Sequence, residues 1–120
     1  MIQTSYWGNR LLLGVERKRL VRVSMGACRG WENVRACPEV FVGWDNVQEW
    51  KRSAQTVEDW KRFENRYWRE VLRFVDSSAF LRKYDGCVLV CWEKDVRVCH
   101  RGVLGRWVSW CGGVYGGEIG

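Results

Sequence analysis

Hydrophobic positions along the chain follow two different periods. Residues 87–92, Cys-Val-Leu-Val-Cys-Trp, form an almost uniformly apolar run. A strand with no polar face is one buried on both sides, the kind that parallel sheets use, so this run is expected to be the central strand. Residues 2–7 and 20–25 are shorter β-branched or apolar stretches closed by Gly8 and Gly26, and they read as strands ending in turns. Between the second and third strands, Val57, Trp60, Phe63, Tyr67, Val71 and Val75 recur at spacings of three and four, while Glu58, Asp59, Lys61, Arg62, Glu64 and Arg66 face the other way. That stripe predicts an amphipathic helix, with Thr56 as its N-cap and Asp59 as the acid of a capping box. Val103, Leu104, Trp107 and Val108 predict a second helix after Arg101. The Gly-rich stretch 112–117 has no period and reads as irregular.

Strands separated by helices indicate the α/β class: a single three-layer domain with a small, mostly parallel sheet and flanking helices. The boundaries expected are 1–111 for the domain and 112–120 for a Gly-rich C-terminal tail. A length of 120 residues suits one core. With 47% hydrophobic and 28% charged residues, neither a disordered polyelectrolyte nor a membrane protein fits. No apolar run approaches the roughly 20 residues of a membrane span. Met1-Ile2-Gln3-Thr4-Ser5 shows no basic or apolar segment of a secretory signal, so a cytoplasmic protein with six reduced thiols is expected.

In a parallel sheet, ligands bind at the carboxyl ends of strands. Those ends carry Ser5 and Tyr6, then Ser24, then the segment Cys91-Trp92-Glu93-Lys94 followed after four residues by Cys99-His100-Arg101. Free N–H groups and the dipole at a helix start favour an anion, which Arg101 would grip with its fork, and they favour a thiolate at Cys99 beside a neutral His100. The first expectation is therefore a pocket in which Ser5, Tyr6, Ser24, Cys91, Lys94 and Arg101 bind a phosphate-bearing ligand, either a nucleotide or a nucleic acid. The alternative is an enzyme acting on such a ligand through Glu93, Cys99 and His100, with Cys99 or Cys91 as nucleophile. Against both stands the plainer possibility that Glu93 and Lys94 form a solvated pair and that Cys99 and His100 merely begin a helix.

Neither Cys28-x8-Cys37 nor Cys91-x7-Cys99-His100 has the tight spacing of a zinc knuckle. Cys87 and Cys91 lie about 13 Å apart by strand rise, so no metal and no cofactor is expected. A phosphate-cradling Walker loop, a dinucleotide fingerprint and a hydrolase elbow are all missing. Lys and Arg number 20 against 14 Asp and Glu, a net charge of +6. Arg17, Lys18, Arg19 and Arg22 cluster near the second strand. With Trp7, Trp31, Trp44, Trp50 and Trp92 available for stacking, this composition permits binding of a single strand or a base, although a solvated basic face over core tryptophans is commoner.

The stretch Val88-Leu89-Val90-Cys91-Trp92-Glu93-Lys94, a spacer, and Cys99-His100-Arg101 before an apolar helix resembles the signature of the bacterial and archaeal domain of unknown function 488. Thr4-Ser5-Tyr6-Trp7-Gly8-Asn9 and Val23-Ser24-Met25-Gly26 are similar to that family's opening and second-strand patterns. The helix containing Tyr67 and Trp68 is similar to its Tyr-containing helix, so the resemblance runs from about residue 2 to residue 110. It implies a compact α/β fold and no settled activity. The chain departs from the family at Gly102-Val103-Leu104-Gly105, where a Ser-Leu/Val-Leu/Val-Ala-like run is usual.

Overall fold

The computed structural model describes residues 1–119. The chain runs β1 (Ile2–Tyr6), β2 (Leu20–Arg22), β3 (Arg35–Ala36), α1 (Trp44–Arg52), α2 (Val57–Glu70), α3 (Ser77–Lys83), β4 (Val88–Cys91), α4 (His100–Trp110) and β5 (Tyr115–Glu118), with two 3-10 turns between β1 and β2 and one in several later connections. All the strands are parallel, in the order β3-β2-β4-β1-β5. The apolar run is thus the middle strand, and every residue of β4 is buried.

Alternation along the strands divides the core. Leu89 and Cys91 of β4 join a cluster fed by all the helices, including Phe63 and Tyr67 of α2, Phe80 of α3, and Val103, Leu104 and Trp107 of α4. Val88 and Val90 face the opposite side, where Trp7, Leu12, Leu20 and Val34 close the sheet. That second layer is thin. It is built from the 3-10 turn Arg10–Gly14 and the loop before β3, because sequences this short leave no room for another crossover helix.

α2 begins as its sequence dictates. Thr56 Oγ1 accepts from the Asp59 amide at 3.1 Å, and the Asp59 carboxylate accepts from the Thr56 amide at 3.0 Å. It ends earlier than the stripe suggests. Val71 leaves the helical region at φ −125°, ψ −66°, and the 3-10 turn Leu72–Phe74 carries Leu72 into the core instead.

The tail differs from its expected irregular conformation. Tyr115–Glu118 pairs in parallel with β1 and becomes the edge of the sheet. Its glycines hid it, since a Tyr-Gly-Gly-Glu segment cannot display an alternating pattern, yet they are what allow it to pack. A Cβ at Gly116 would collide with the Met1 side chain, and one at Gly105 of α4 would collide with the Tyr115 ring. A Cβ at Gly102 would meet the Val96 carbonyl oxygen at 2.6 Å. The two glycines that depart from the usual run after Cys-His-Arg are therefore required by close approach of backbone and ring. No helix among the described residues is long and apolar enough to cross a membrane.

Candidate functional site

β4 ends at Cys91, and the chain then turns back through a 3-10 turn, Val96–Val98, capped by the Asp95 carboxylate accepting from the Arg97 amide. Cys99 follows as the N-cap of α4 and His100 as its first residue. This return brings two residues at the helix start over the strand end. The ligand atoms of Cys91, Cys99 and His100 all lie within 4.8 Å of one another.

The imidazole orientation follows from its partners. His100 Nε2 is 2.8 Å from the Val23 carbonyl oxygen. A carbonyl only accepts, so Nε2 carries the proton and donates it. Nδ1 is then the bare nitrogen; it lies 3.4 Å from Cys91 Sγ, and Nε2 lies 4.0 Å from the same atom, so the sulfur stands beside the ring and not in line with the Nδ1 lone pair. The Tyr67 ring meets the imidazole edge-on at 5.7 Å and 82°, and the Tyr67 hydroxyl is itself tied to the Val40 carbonyl. The ring is thus held from two sides.

Of the two thiols, Cys91 is the one set up to carry negative charge. A hydrogen bond from the Cys99 thiol outweighs burial, and the amides of Trp92 and Glu93 and the charge of Arg101 add to it, holding the Cys91 thiol below its ordinary value. Cys99 is pushed up, first by the neighbouring Cys91 and then by burial. Elsewhere, burial and the Glu39 carboxylate push the Cys37 thiol up to about 12, which makes it inert near neutrality. None of the six cysteines is in a disulfide.

Cys91, Cys99, His100, Glu93 and Ser24 line one cleft of about 660 Å³ at the carboxyl end of the sheet. The Ser24 hydroxyl is buried there without a hydrogen-bond partner. The cleft's walls are aromatic: Trp44 and Trp50 come from α1, Trp60 and Phe63 from α2, and Trp92 from the loop after β4. Trp60 and Phe63 stack at 4.6 Å with 12° between their planes. The Trp92 indole N–H donates to the Gly26 carbonyl at 3.2 Å, which pins that wall. Trp60 and Phe63 were legible only as core positions of a helix stripe, and α1 itself escaped because Val47 and Trp50 are its only clear inward apolar pair.

Four of the expected site residues lie elsewhere. Ser5 pairs in register with Val90, on the face opposite Cys91, and its hydroxyl accepts from Asn9. Tyr6 lies under the Arg101 guanidinium, 5.7 Å from ring centre to carbon. Lys94 is exposed and contributes only its carbonyl, which accepts from Arg101 at 3.0 Å. Arg101 is the clearest correction. Its side chain is wholly buried, its fork grips the Glu118 carboxylate at 2.8 to 3.2 Å, and its remaining bonds go to the carbonyls of Glu93 and Lys94. The expected fork for a ligand anion is spent on the C-terminal strand.

Of the basic cluster, Arg22 donates to the carbonyls of Ser24 and Met25 at the cleft's edge, while Arg17, Lys18 and Arg19 lie apart from it. Arg17, Lys18, Arg19, Arg35 and Lys83 surround a second groove of about 540 Å³ beside Gly86 and Cys87, at the amino ends of the strands. Trp7 and Trp31 pair with each other at 5.7 Å on the thin face, with Arg17 over Trp31, so neither reaches the cleft.

A thiol at the end of the middle strand, facing a fixed imidazole at the foot of an aromatic cleft, places this chain among small α/β proteins with a strand-end Cys–His pair. Residues 42–108 match the family model described as the domain of unknown function DUF488, and the chain belongs to that family. The match runs from just before α1 into α4, so it takes in the cleft's helices together with Cys91, Cys99 and His100; β1, β2, β3 and β5 lie outside it. No curated protein and no solved structure matches the chain.

Proposed function

We propose that the protein is a cysteine-dependent enzyme in which Cys91 is the nucleophile and His100 its base. The observation that carries this reading is the bare Nδ1 of His100, 3.4 Å from Cys91 Sγ, with Nε2 anchored on the Val23 carbonyl. With the ring turned toward Sγ, His100 Nδ1 would take the thiol proton as sulfur attacks an electrophilic carbon. The same nitrogen would return it to the departing group, which leaves with the bonding electron pair. Cys99 supports the thiolate by donating its S–H. Glu93, on the rim, is the acid–base group nearest the chain's exit from β4.

The substrate is one with a flat unsaturated ring, for which the tryptophan walls offer stacking surfaces. A nucleotide fits through its base rather than its phosphate, because among the described residues Lys51 is the only Lys or Arg lining the cleft. Phosphate recognition by Arg101 loses its support, which favours the enzyme over the simple anion-binding module.

Pulsed alkylation with iodoacetamide near pH 7, read cysteine by cysteine in a mass spectrometer, tests this. Cys91 should be modified ahead of Cys28 and Cys111, although both of those are more exposed. His100→Asn should slow Cys91 by about tenfold, the effect of one pKa unit on the thiolate fraction, and leave Cys28 unchanged. A Cys91 that reacts no faster than Cys28, or that ignores the loss of His100, refutes the proposal.

A further inference from the structure

We infer that Cys91, Cys99 and His100 together form a binding site for one thiophilic divalent metal ion of the zinc type, held by two thiolates and imidazole Nδ1 with a fourth position open to the cleft. This goes beyond the nucleophile assigned above, since a sulfur bound to metal is not free to attack.

Zinc takes sulfur at about 2.3 Å and imidazole nitrogen at about 2.0–2.1 Å in a tetrahedron, which places neighbouring ligand atoms roughly 3.5–3.8 Å apart. Cys91 Sγ and His100 Nδ1 are already 3.4 Å apart, and the third ligand atom falls inside the same 4.8 Å limit. Cys91 Sγ is also 4.0 Å from Nε2, so the sulfur stands beside the ring, and closing on an ion asks the imidazole to turn until Nδ1 points between the two sulfurs.

The imidazole also has the right tautomer. Metal-bound histidines commonly donate their second ring N–H to a carbonyl or carboxylate, and His100 gives Nε2–H to Val23 at 2.8 Å. Two thiolates and a divalent ion sum to zero charge, which suits a site where Cys91 and Cys99 are both buried. Sulfur and imidazole ligands select against magnesium and calcium, which want oxygen.

Spacing alone argued against metal, because the two cysteines are eight residues apart. The turn at Val96–Val98 is what folds that distance away. No fourth histidine, cysteine or carboxylate joins the cluster among the described residues, and the cleft borders it. Three protein ligands with an open position is the arrangement of a reactive rather than a purely structural zinc site.

The test uses the reduced, metal-free full chain. Zinc should bind with one-to-one stoichiometry and slow alkylation of Cys91 and Cys99 by at least about tenfold, while Cys28 keeps its rate. Cobalt(II) should give thiolate-to-cobalt charge-transfer absorption. Cys91→Ser and Cys99→Ser, each checked for a folded circular dichroism spectrum, should each weaken zinc binding by more than the roughly 10–100-fold that loss of an outer partner costs. Equimolar zinc that leaves Cys91 and Cys99 unprotected, or binding that survives in both serine variants, overturns the inference. The nucleophile assignment fails independently: it falls if metal-free Cys91 is no more reactive than Cys28, whatever zinc does.

Discussion

Arg101→Met should destabilise the fold by about 3–5 kcal/mol, the cost of removing one partner from a buried ion pair. The guanidinium is fully buried, while the Glu118 carboxylate that it holds retains 30% of its side-chain exposure. Without it, Glu118 and the carbonyls of Glu93 and Lys94 lose their donor, and those two carbonyls belong to the loop that carries Cys91 toward Cys99. β5 loses its ion-pair tie to α4 at the same time. Glu118→Gln should cost less, and the double substitution should cost less than the sum of the two, because the pair acts as a unit. Urea unfolding of the four proteins measures this. An Arg101→Met change under about 1 kcal/mol would mean that the pair contributes no more than a surface salt bridge.

Phe63→Ala is expected to cost about 3–5 kcal/mol as well, by a different route. Its ring is buried between Trp60, on which it stacks, and Tyr67 at 6.4 Å, with Trp50 at 6.5 Å. Removing it leaves a cavity where α1 and α2 meet, beside the bond in which the Asn46 amide donates to the Phe63 carbonyl. Equilibrium unfolding should show the loss with little change in the denaturant slope. A loss below about 0.5 kcal/mol would place that face in solvent.

The elements that could be foreseen are those whose residues settle their own environment. Val88–Cys91 has no polar side chain, so it could only be a strand buried on both faces, and Thr56 with Asp59 fixes the start of α2 wherever that helix packs. β3 and β5 were illegible for the opposite reason. Two residues, or a run interrupted by Gly116 and Gly117, carry no pattern, and neighbouring strands decide their pairing.

The candidate site divides along the same line. Cys91, Glu93, Cys99 and His100 are joined by one short loop, so their convergence followed from a strand–turn–helix reading, and Ser24 came with them from the end of β2. Ser5 failed on register. Opposite Val90 it faces away from the cleft, and shifting the pairing by one residue would have turned it inward. Arg101 failed because its partner, Glu118, lies 17 residues on in a stretch that showed no pattern. The tryptophan walls come from helices whose position over the sheet is a tertiary fact, so Trp60 and Phe63 read equally well as core.

The base assigned to Cys91 depends on which nitrogen of His100 carries the proton, and the chain has only one histidine. Nitrogen-15 NMR of the imidazole reports this directly, with no overlap from other rings. The expected spectrum shows a protonated Nε2 that stays bonded to the Val23 carbonyl and an Nδ1 whose shift changes on Cys91→Ala. A neutral ring protonated at Nδ1, with a bare Nε2 and no response to Cys91→Ala, would contradict the Cys91–His100 pair.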